Sequence, residues 1–216
     1  MPRVNPQAKV RTRERLLDAG AEEFARHGLA AANIDRISLA ARLAKGTVYN
    51  YFRSKEALFL AVCLEACDRA VRDAPLLPPD APTRERLRAL VKSDVRWARE
   101  HEAFARVLIR EALSGDPRFA SQVLEAATPW FAKLTEVFEA GLERGEIRRD
   151  VPVDQLALSL TGLINLALVQ HWGSGGAWPA LDDIPDIVLR QFLEGAQAPG
   201  RHRSPRSAPT QTGRAR

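Results

Sequence analysis

The residues most suited to chemistry in this sequence lie in one short segment, Lys45 to Phe52. Read with the 3.6-residue period of a helix, the segment turns Val48, Phe52 and one face of Tyr51 toward a core. The opposite face carries donors, acceptors, a methyl group and an aromatic ring, on Lys45, Thr47, Tyr49 and Asn50. Such groups contact base edges and phosphates in the major groove of DNA, so the pattern predicts a DNA-reading helix. The alternative is an ordinary solvated face with packed tyrosines.

Small and basic residues around this helix favour the same interpretation. Gly46 at its start would let the backbone approach a phosphate, and free N–H groups at a helix N-terminus attract anions. Arg42, Arg53 and Lys55 flank the helix, where each is a candidate phosphate contact or a plain surface charge. Tyr51 is open between packing and DNA contact. A basic arm along the DNA backbone is a further candidate, formed by Arg3, Lys9, Arg11 and Arg13.

Two short helices in close succession must position these groups. Asn33 caps the first, which runs to Ala41, and three residues connect it to the second, at Lys45 to Tyr51. An amphipathic helix precedes them, from a cap at Thr12 to a stop at Gly28. Gly20 inside that helix indicates a close approach by a neighbour. Segment 33–52 therefore matches the helix-turn-helix arrangement.

The whole chain reads as all-α, because its segments follow the helical period and no stretch alternates like a strand. Ser54 caps a fourth helix that runs to about Val71, and a proline-rich connection follows at 74–82. We expect about nine helices, the later ones at 83–100, 102–114, 117–144, 153–172 and 184–195. This organisation predicts a DNA-binding domain over 10–70, a ligand-binding and dimerisation domain over 71–197, and a disordered basic tail over 198–216.

Charge is distributed unevenly along the 216 residues, whose formal net charge is +5. Residues 1–60 carry 11 Lys and Arg against 6 Asp and Glu, and residues 61–200 carry 16 against 21. Residues 201–216 carry five arginines and no acid. We expect the basic N-terminal region to face DNA and the acidic middle to avoid competing contacts. The basic tail would either add nonspecific DNA affinity or remain solvated.

The two cysteines, Cys63 and Cys67, are too few for a disulfide framework and fit a reducing compartment. The N-terminus has no apolar secretory segment, and the apolar stretch Leu156 to Val169 is shorter than the roughly 18 residues of a membrane span. We therefore expect a cytoplasmic protein. No histidine stands at ligand spacing from the cysteines, so we expect neither a metal nor a cofactor, and we interpret both cysteines as small core residues.

Several of these segments resemble the DNA-binding domain of the tetracycline-repressor (TetR) family. The resemblance combines fixed spacings over residues 10–65, in Thr12-Arg-Glu-Arg-Leu-Leu-Asp-Ala, Phe24-Ala-Arg-His-Gly28, Ile37, Lys45-Gly-Thr-Val-Tyr49 and Tyr51-Phe-Arg-Ser-Lys-Glu-Ala-Leu-Phe59. Segment 141–150 and the apolar helix after it are similar, more loosely, to the family's regulatory domain. The resemblance implies a homodimeric transcription factor whose recognition helices enter successive major grooves of a palindromic operator.

Two positions depart from the usual family pattern. Arg42 stands where a glycine commonly ends the second helix, and Ala44 stands where a serine commonly caps the third. The missing cap should cost about 1 kcal/mol of helix stability. Arg42 would gain a phosphate contact instead.

The later helices offer a dimer surface and candidates for ligand binding. Leu156 to Val169 is apolar nearly all round, so one side needs a cover from outside its own domain, and the last helix adds an apolar face. The aromatic residues are first of all core, and some would line a pocket beside polar groups that orient a ligand. The alternative is that those polar groups form internal hydrogen bonds and do not orient a ligand. The candidates are Trp97, His101, Phe104, Glu111, Trp130 and Asn165.

These observations favour a ligand-responsive transcriptional regulator, a repressor that binds a palindromic operator as a homodimer and is released by a small-molecule effector. The fourth helix would couple the two domains, because it begins in one and ends in the other. The alternative is a helical small-molecule-binding protein or an enzyme that does not bind an operator. The sequence has no glycine-rich phosphate loop, His-Glu-x-x-His or Gly-x-Ser-x-Gly motif to support an enzyme.

Overall fold

A computed structural model describes residues 6–194, and the predicted basic tail and Arg3 lie outside the described residues. Within that range the fold is all-α, as expected, with nine α-helices and no strand. The helices are α1 (Pro6–Ala31), α2 (Ile34–Ala40), α3 (Lys45–Tyr51), α4 (Lys55–Arg72), α5 (Thr83–Glu100), α6 (Glu102–Ser114), α7 (Ala120–Glu143), α8 (Val153–Gly173) and α9 (Ile184–Glu194). We call α1–α3 the head and α5–α9 the body, and α4 joins them.

The predicted helix boundaries hold at most ends and fail at two. The first helix begins at Pro6 rather than Thr12, because the Thr12 hydroxyl donates to the carbonyl of Ala8 inside the helix and caps nothing. Helix α7 begins at Ala120 rather than 117, because the Asp116 carboxylate accepts the backbone N–H of Arg118 and holds 116–119 in a separate turn. Asn33 and Ser54 cap α2 and α4 as predicted.

The core of the head forms around α1. Leu16, Leu17 and Phe24 are fully buried, and Phe24 packs edge-on against Phe59 of α4 with ring centroids 5.1 Å apart. A Cβ on Gly20 would lie 3.3 Å from a methyl group of Val62, which explains why the smallest residue stands there. Helix α1 therefore packs closely against α4, the element that continues toward the body.

Two arginines fasten the head to the rest of the molecule, and a third holds two helices of the head together. Arg110 of α6 donates to the carbonyls of Phe24 and Ala25 at 3.1 and 2.8 Å, near the point where α1 kinks at Gly28. Arg69 of α4 pairs with Asp18 of α1 at 3.2 Å and lies over the ring of Phe104 in α6. A third, Arg15, donates to the carbonyl of Ala41 at the end of α2.

The body is a layered arrangement in which α5 packs against α6, α7, α8 and α9. Helix α8 is longer than the apolar stretch read from the sequence, and it is long and apolar enough, by length and composition alone, to cross a membrane. Its residues Leu160, Ile164 and Leu168 are nevertheless buried in the protein core. We therefore interpret α8 as a core helix with one exposed apolar face.

Candidate nucleic-acid interface and ligand-binding body

Helix α3 presents a polar face to solvent. Val48 is buried and anchors the helix, and Tyr51 is partly buried against the core. Tyr49 is 46% exposed, and nothing in the protein would contact a Cβ at Gly46. The outward groups are those expected from the sequence: Lys45, Gly46, Tyr49 and Asn50 are exposed and Thr47 is partly exposed. The face is thus free to enter a DNA groove.

The start of α3 depends on a charged pair. Ala44 at its N-cap provides no side-chain hydrogen bond, as the sequence predicted. The ammonium of Lys45 lies 2.9 Å from the carboxylate of Asp35 in α2. That hydrogen bond raises the pKa of Lys45 above its ordinary value. Lys45 therefore ties α3 to α2 and stays exposed enough to meet a phosphate.

Arg42, in the turn between α2 and α3, adopts a backbone conformation that usually requires glycine. Its φ is 54°, in the left-handed region, where a side chain with a Cβ costs roughly 1–2 kcal/mol. The side chain is exposed, and its guanidinium meets no hydrogen-bonding or ionic partner within residues 6–194. Arg42 thus has a strained backbone and places an unpaired guanidinium beside α3.

Lys55 has a role that the sequence did not indicate. Its ammonium donates to the carbonyls of Ala30 and Ala32 at 2.9 and 3.2 Å, just after the kink in α1. These carbonyls are more than 20 residues away, so no local pattern reveals them. Arg53, by contrast, is exposed and meets no partner in the described part of the chain. Lys55 therefore holds the end of α1 to the start of α4, and Arg53 remains a candidate phosphate contact.

The candidate arm divides into paired and unpaired residues. Lys9 and Arg11 are exposed on α1 and meet no partner in the described range. Arg13 lies 3.7 Å from Glu65 and over the ring of Phe52, so it belongs to the α1–α4 contact. The arm is therefore shorter, within residues 6–194, than its charge pattern suggested.

Buried Glu23 fixes the position of α2. Its carboxylate accepts the backbone N–H of Asn33 at 2.8 Å and the Nε of Arg36 at 2.9 Å. Burial alone would raise the pKa of Glu23, but these hydrogen bonds and the nearby guanidinium outweigh it and lower the pKa. The helix-turn-helix thus rests on a charged group that has partners.

The six ligand candidates do not meet in one place. His101 and Phe104 line an open cleft of about 860 Å³ between head and body, which Arg42 also lines. Glu111 lines a second cleft of about 510 Å³, between α1, α4 and the α6–α7 turn. Trp97, Trp130 and Asn165 line neither cleft, although all three lie in the body. The structure therefore does not gather the six candidates around one cleft, and their role in ligand binding stays a prediction.

Two of these candidates carry polar atoms without partners. The indole N–H of Trp97 is buried and unpaired, and so is one carboxylate oxygen of Glu111. Burial raises the pKa of Glu111, and the nearby charge of Asp116 adds to the effect. His101 lies at the junction of α5 and α6, 3.8 Å from the carboxylate of Asp73. Such unpaired groups are unusual in a protein interior.

Asp94 of α5 was missed by the sequence analysis. It continues the stripe of Leu87, Leu90 and Trp97 along the buried face of the helix, and it is only half-buried itself. It forms no hydrogen bond or ion pair in the described residues. Burial raises its pKa to about 7. The sequence did contain a signal for this residue, because a carboxyl group stands where the stripe of buried residues would continue with an apolar side chain.

Helix α8 leaves an apolar face uncovered. Leu158, Leu166 and Val169 are 63%, 53% and 40% exposed, and Gly162 between them has open space around it. A stripe of this size on one side of a helix is typical of an interface. The two cysteines, Cys63 and Cys67, are buried, and burial raises the pKa of Cys67 to about 11. Residues 6–194 contain no cluster that could hold a metal ion.

Comparison with known proteins gives a consistent result. Residues 16–62 match the model for "Bacterial regulatory proteins, tetR family", and residues 77–172 match "Tetracyclin repressor-like, C-terminal domain". The HTH-type transcriptional repressor NicS of Pseudomonas putida is 30% identical over 164 residues, covering 74% of this chain and 77% of that protein. The repressor Rv1474c of Mycobacterium tuberculosis is 27% identical, covering 87% and 96%.

Solved structures share the fold. The fatty acid degradation regulator FadR of Bacillus halodurans matches 91% of this chain and 99% of its own, with a TM-score of 0.74 and 20% identity. FadR of Bacillus subtilis, solved in complex with stearoyl-CoA, matches 85% and 99%, with a TM-score of 0.72 and 20% identity. The arrangement of head and body is therefore that of transcriptional regulators.

Proposed function

The chain belongs to the TetR family of helix-turn-helix transcriptional regulators, and we propose that it is a homodimeric repressor whose release from a palindromic operator is driven by a small molecule. The observation that carries this proposal is the exposed polar face of α3 on a helix-turn-helix that is held rigidly by Glu23 and Lys55. The repressor assignment is supported by the names of the curated relatives. An enzyme has no comparable support, because those relatives are regulators.

We divide the DNA contacts into those that read bases and those that hold phosphates. Thr47, Tyr49 and Asn50 stand along the outward face of α3, where they would meet base edges and the thymine methyl group. Lys45, the N–H of Gly46, Arg42 and Arg53 surround that face and would hold the backbone. Lys55 supports the head from behind. In this proposal the DNA-binding domain spans 10–70 and acts in the cytoplasm.

The dimer would form through the exposed face of α8. The axis of a dimer that reads a palindrome must pass between the two heads, so the two copies present the same surface to each other. Leu158, Gly162, Leu166 and Val169 offer such a surface, and a second copy would remove these apolar groups from water. The ligand-binding and dimerisation domain then spans 71–197.

Helix α4 would couple the effector to DNA. It is fastened to α1 through Arg69 and Asp18 and lies against the body through the ring of Phe104. An effector that prefers a spacing of the two heads unsuited to the operator lowers DNA affinity, and DNA lowers effector affinity by the same factor. Such couplings are typically about 1–3 kcal/mol.

The test is to recover the genomic DNA that the purified protein selects and to map the protected bases. We expect an inverted repeat with half-sites about 34 Å apart along the helix, bound by two chains in sedimentation velocity. Tyr49→Ala should lower affinity by about 10- to 100-fold, because a base contact is worth about 1–3 kcal/mol. Leu124→Ala, a change at an exposed leucine of α7, is the matched control. An equal loss in both variants, or no selected sequence, would contradict the proposal.

A further inference from the structure

A cleft of about 510 Å³ lies where the head meets the body, and residues from both regions line it. The head contributes Phe24 and the bend of α1 at Gly28, and the body contributes the end of α6 and the turn that follows it. Phe59, near the start of α4, completes the wall. A cleft of this size holds a small molecule, and an occupant would contact both regions at once.

Glu111 of α6 brings a carboxyl group to this cleft, and one of its oxygens has no partner. The Oε1 atom is enclosed by the protein, and no described residue donates a hydrogen bond to it. Buried polar atoms are nearly always paired, so an unpaired carboxylate oxygen in the wall of a cleft is exceptional. Leaving such an oxygen unpaired costs free energy, which a donor from outside the chain would restore.

The charged groups near Glu111 already have partners of their own. Arg118 in the turn donates to the carboxylate of Asp116 at 2.6 to 3.1 Å. Arg110 donates to two backbone carbonyls of α1. Burial and the charge of Asp116 raise the pKa of Glu111, and the Ser114 hydroxyl and Arg118 offset only part of the rise. The protein therefore does not neutralise this carboxylate.

Apolar groups lie beside the carboxyl. The ring of Phe59 packs against the rings of Phe24 and Phe119, with centroids 5.1 and 5.3 Å away. Burial raises the pKa of the Cys63 thiol, and the charge of Glu111 adds to the rise, so the carboxyl lies near α4. An occupant would therefore place an aromatic or alkyl group against the phenylalanines and a polar group at Glu111.

The carboxyl of Glu111 is able to turn toward such an occupant. The residue is partly exposed although its Oε1 is enclosed, and a terminal carboxyl rotates over a broad range. An ammonium has three donors and binds either oxygen, and its bond to a carboxylate is stronger than that of a neutral donor. A carboxylate or phosphate would instead be repelled by Glu111 and Asp116, since the two arginines of the lining are already bonded.

We propose that the effector of this regulator binds in this cleft, and that it is a small aromatic or apolar amine whose cation pairs with Glu111. The inference rests on the proposed effector-responsive function and adds the location and the chemical class of the effector. Arg110 joins α6 to α1 beside the cleft, so an occupant acts on the contact between head and body. The amine would thereby favour one arrangement of the head and change DNA affinity.

The test uses 2-phenylethylamine, 2-phenylethanol and 3-phenylpropionate, which share one phenylethyl group and differ in charge. Calorimetry at pH 7 should show the amine binding at least ~10-fold more tightly than the alcohol, because a charge-assisted hydrogen bond is stronger than a neutral one. The carboxylate should bind most weakly. Equal binding of the three probes, or no binding of any, would overturn the inference.

Variants of Glu111 test the counter-ion. Glu111→Gln keeps the shape of the side chain and should reduce affinity for the amine to that for the alcohol. Glu139→Gln removes a carboxylate from the exposed face of α7 and should leave the preference for the amine unchanged. A preference that survives Glu111→Gln, or an equal loss in both variants, contradicts the role of Glu111.

A second pair of variants tests the location. Leu29→Trp places a large ring in the partly buried wall of the cleft and should weaken binding of the amine and the alcohol alike. Leu124→Trp adds the same ring at an exposed position of α7 and should weaken neither. The two variants are compared at equal helical content by circular dichroism. Unchanged binding of the amine to Leu29→Trp would mean that the amine binds elsewhere.

DNA binding by the unchanged chain separates this inference from the function on which it rests. If the chain selects an operator but shows no preference for the amine, or if the bound amine leaves operator affinity unchanged, the inference is wrong and the repressor proposal stands. If the chain selects no DNA, the repressor proposal fails, and Glu111→Gln alone decides whether the cleft takes a cation.

Discussion

Two carboxyl groups on inward helix faces, Glu23 in the head and Asp94 in the body, differ in whether the protein provides them with partners. In the head, Glu23 accepts a backbone N–H and the guanidinium of Arg36, and its pKa is lowered. In the body, Asp94 has no partner and its pKa is raised to about 7. The head satisfies its buried charge internally and so fixes the geometry of α2. The body leaves the carboxyl of Asp94 without an internal partner.

The difference follows from what each region must do. A reading helix must keep one orientation, because base contacts depend on distances of a fraction of an ångström, and ion pairs such as Lys45 with Asp35 limit its movement. Asp94 has no such pair to fix its position, since no described residue bonds to its carboxyl. Three mutations test this contrast.

The largest expected effect is on Glu23. Glu23→Gln removes the charge that holds Arg36 and weakens the hydrogen bond from Asn33, and we expect a loss of about 3 kcal/mol in the free energy of unfolding. The lowered pKa means that this stabilisation is present above the unfolded-state pKa of a glutamate and disappears as pH falls through the folded-state value. Urea unfolding at pH 7 and pH 3 measures both.

The matched control for that change is the adjacent residue. Glu22 pairs with Arg26 on the exposed side of α1, so Glu22→Gln should cost less than about 0.5 kcal/mol at either pH. If both variants lose the same stability, Glu23 is not a special support of α2. If Glu23→Gln is neutral at pH 7, the head does not depend on an internal charge and the contrast with the body disappears.

Asp94 should respond in the opposite direction. Asp94→Leu replaces an unpaired carboxyl by an apolar group that matches the stripe, and we expect about 2 kcal/mol of added stability at pH 8. Because the folded-state pKa of about 7 is higher than the ordinary 3.8, the wild-type chain loses stability as pH rises from about 4 to 7. The gain from the substitution should therefore be largest above pH 7 and shrink toward pH 4.

Urea unfolding from pH 4 to pH 8 measures this profile, with Glu139→Gln as the surface control. A stabilisation that does not vary with pH would mean that packing, and not the charge, causes the effect. A destabilised Asp94→Leu variant would show that the carboxyl has a structural partner, and the body would then resemble the head.

Local signals in the sequence predicted most of the fold. Asn33 and Ser54 cap their helices through their own side chains, and the breaks at Gly28 and Gly115 coincide with positive φ values. The predicted start of α1 was wrong, because the hydroxyl of Thr12 donates to a carbonyl within the helix and does not cap its end. Boundaries depend on such local choices, which residue type alone leaves open.

The candidate site was less predictable, because its contacts join distant parts of the chain. The outward face of α3 follows from helical period alone. The role of Lys55 depends on carbonyls of Ala30 and Ala32, and the cleft beside His101 exists because α6 packs against α1. Asp94 was visible in the stripe of Leu87, Leu90 and Trp97, but the lack of a partner for its carboxyl shows only in the folded chain.

Arg42 is an unpaired charge of the head that stands beside α3, and it gives the smallest expected effect. Like Asp94 it carries a charge that the described residues leave unpaired, and it also holds a φ of 54°. Arg42→Gly should add about 1 kcal/mol to the free energy of unfolding by relieving the backbone. If the guanidinium meets a phosphate, the same change should weaken operator binding and lower the slope of affinity against salt by about one.

Two further variants separate the backbone from the charge. Asn tolerates the left-handed region, so Arg42→Asn should keep most of the stability gain and lose the salt dependence, and Arg42→Lys should keep the strain and the salt dependence. Operator binding at 50 and 200 mM salt, beside urea unfolding, measures both properties. A glycine variant with unchanged affinity and slope would contradict the phosphate contact. A lower slope for Arg42→Gly would instead mean that the unpaired guanidinium beside α3 holds a phosphate, while internal pairing such as that of Glu23 and Lys45 supports α2 and α3.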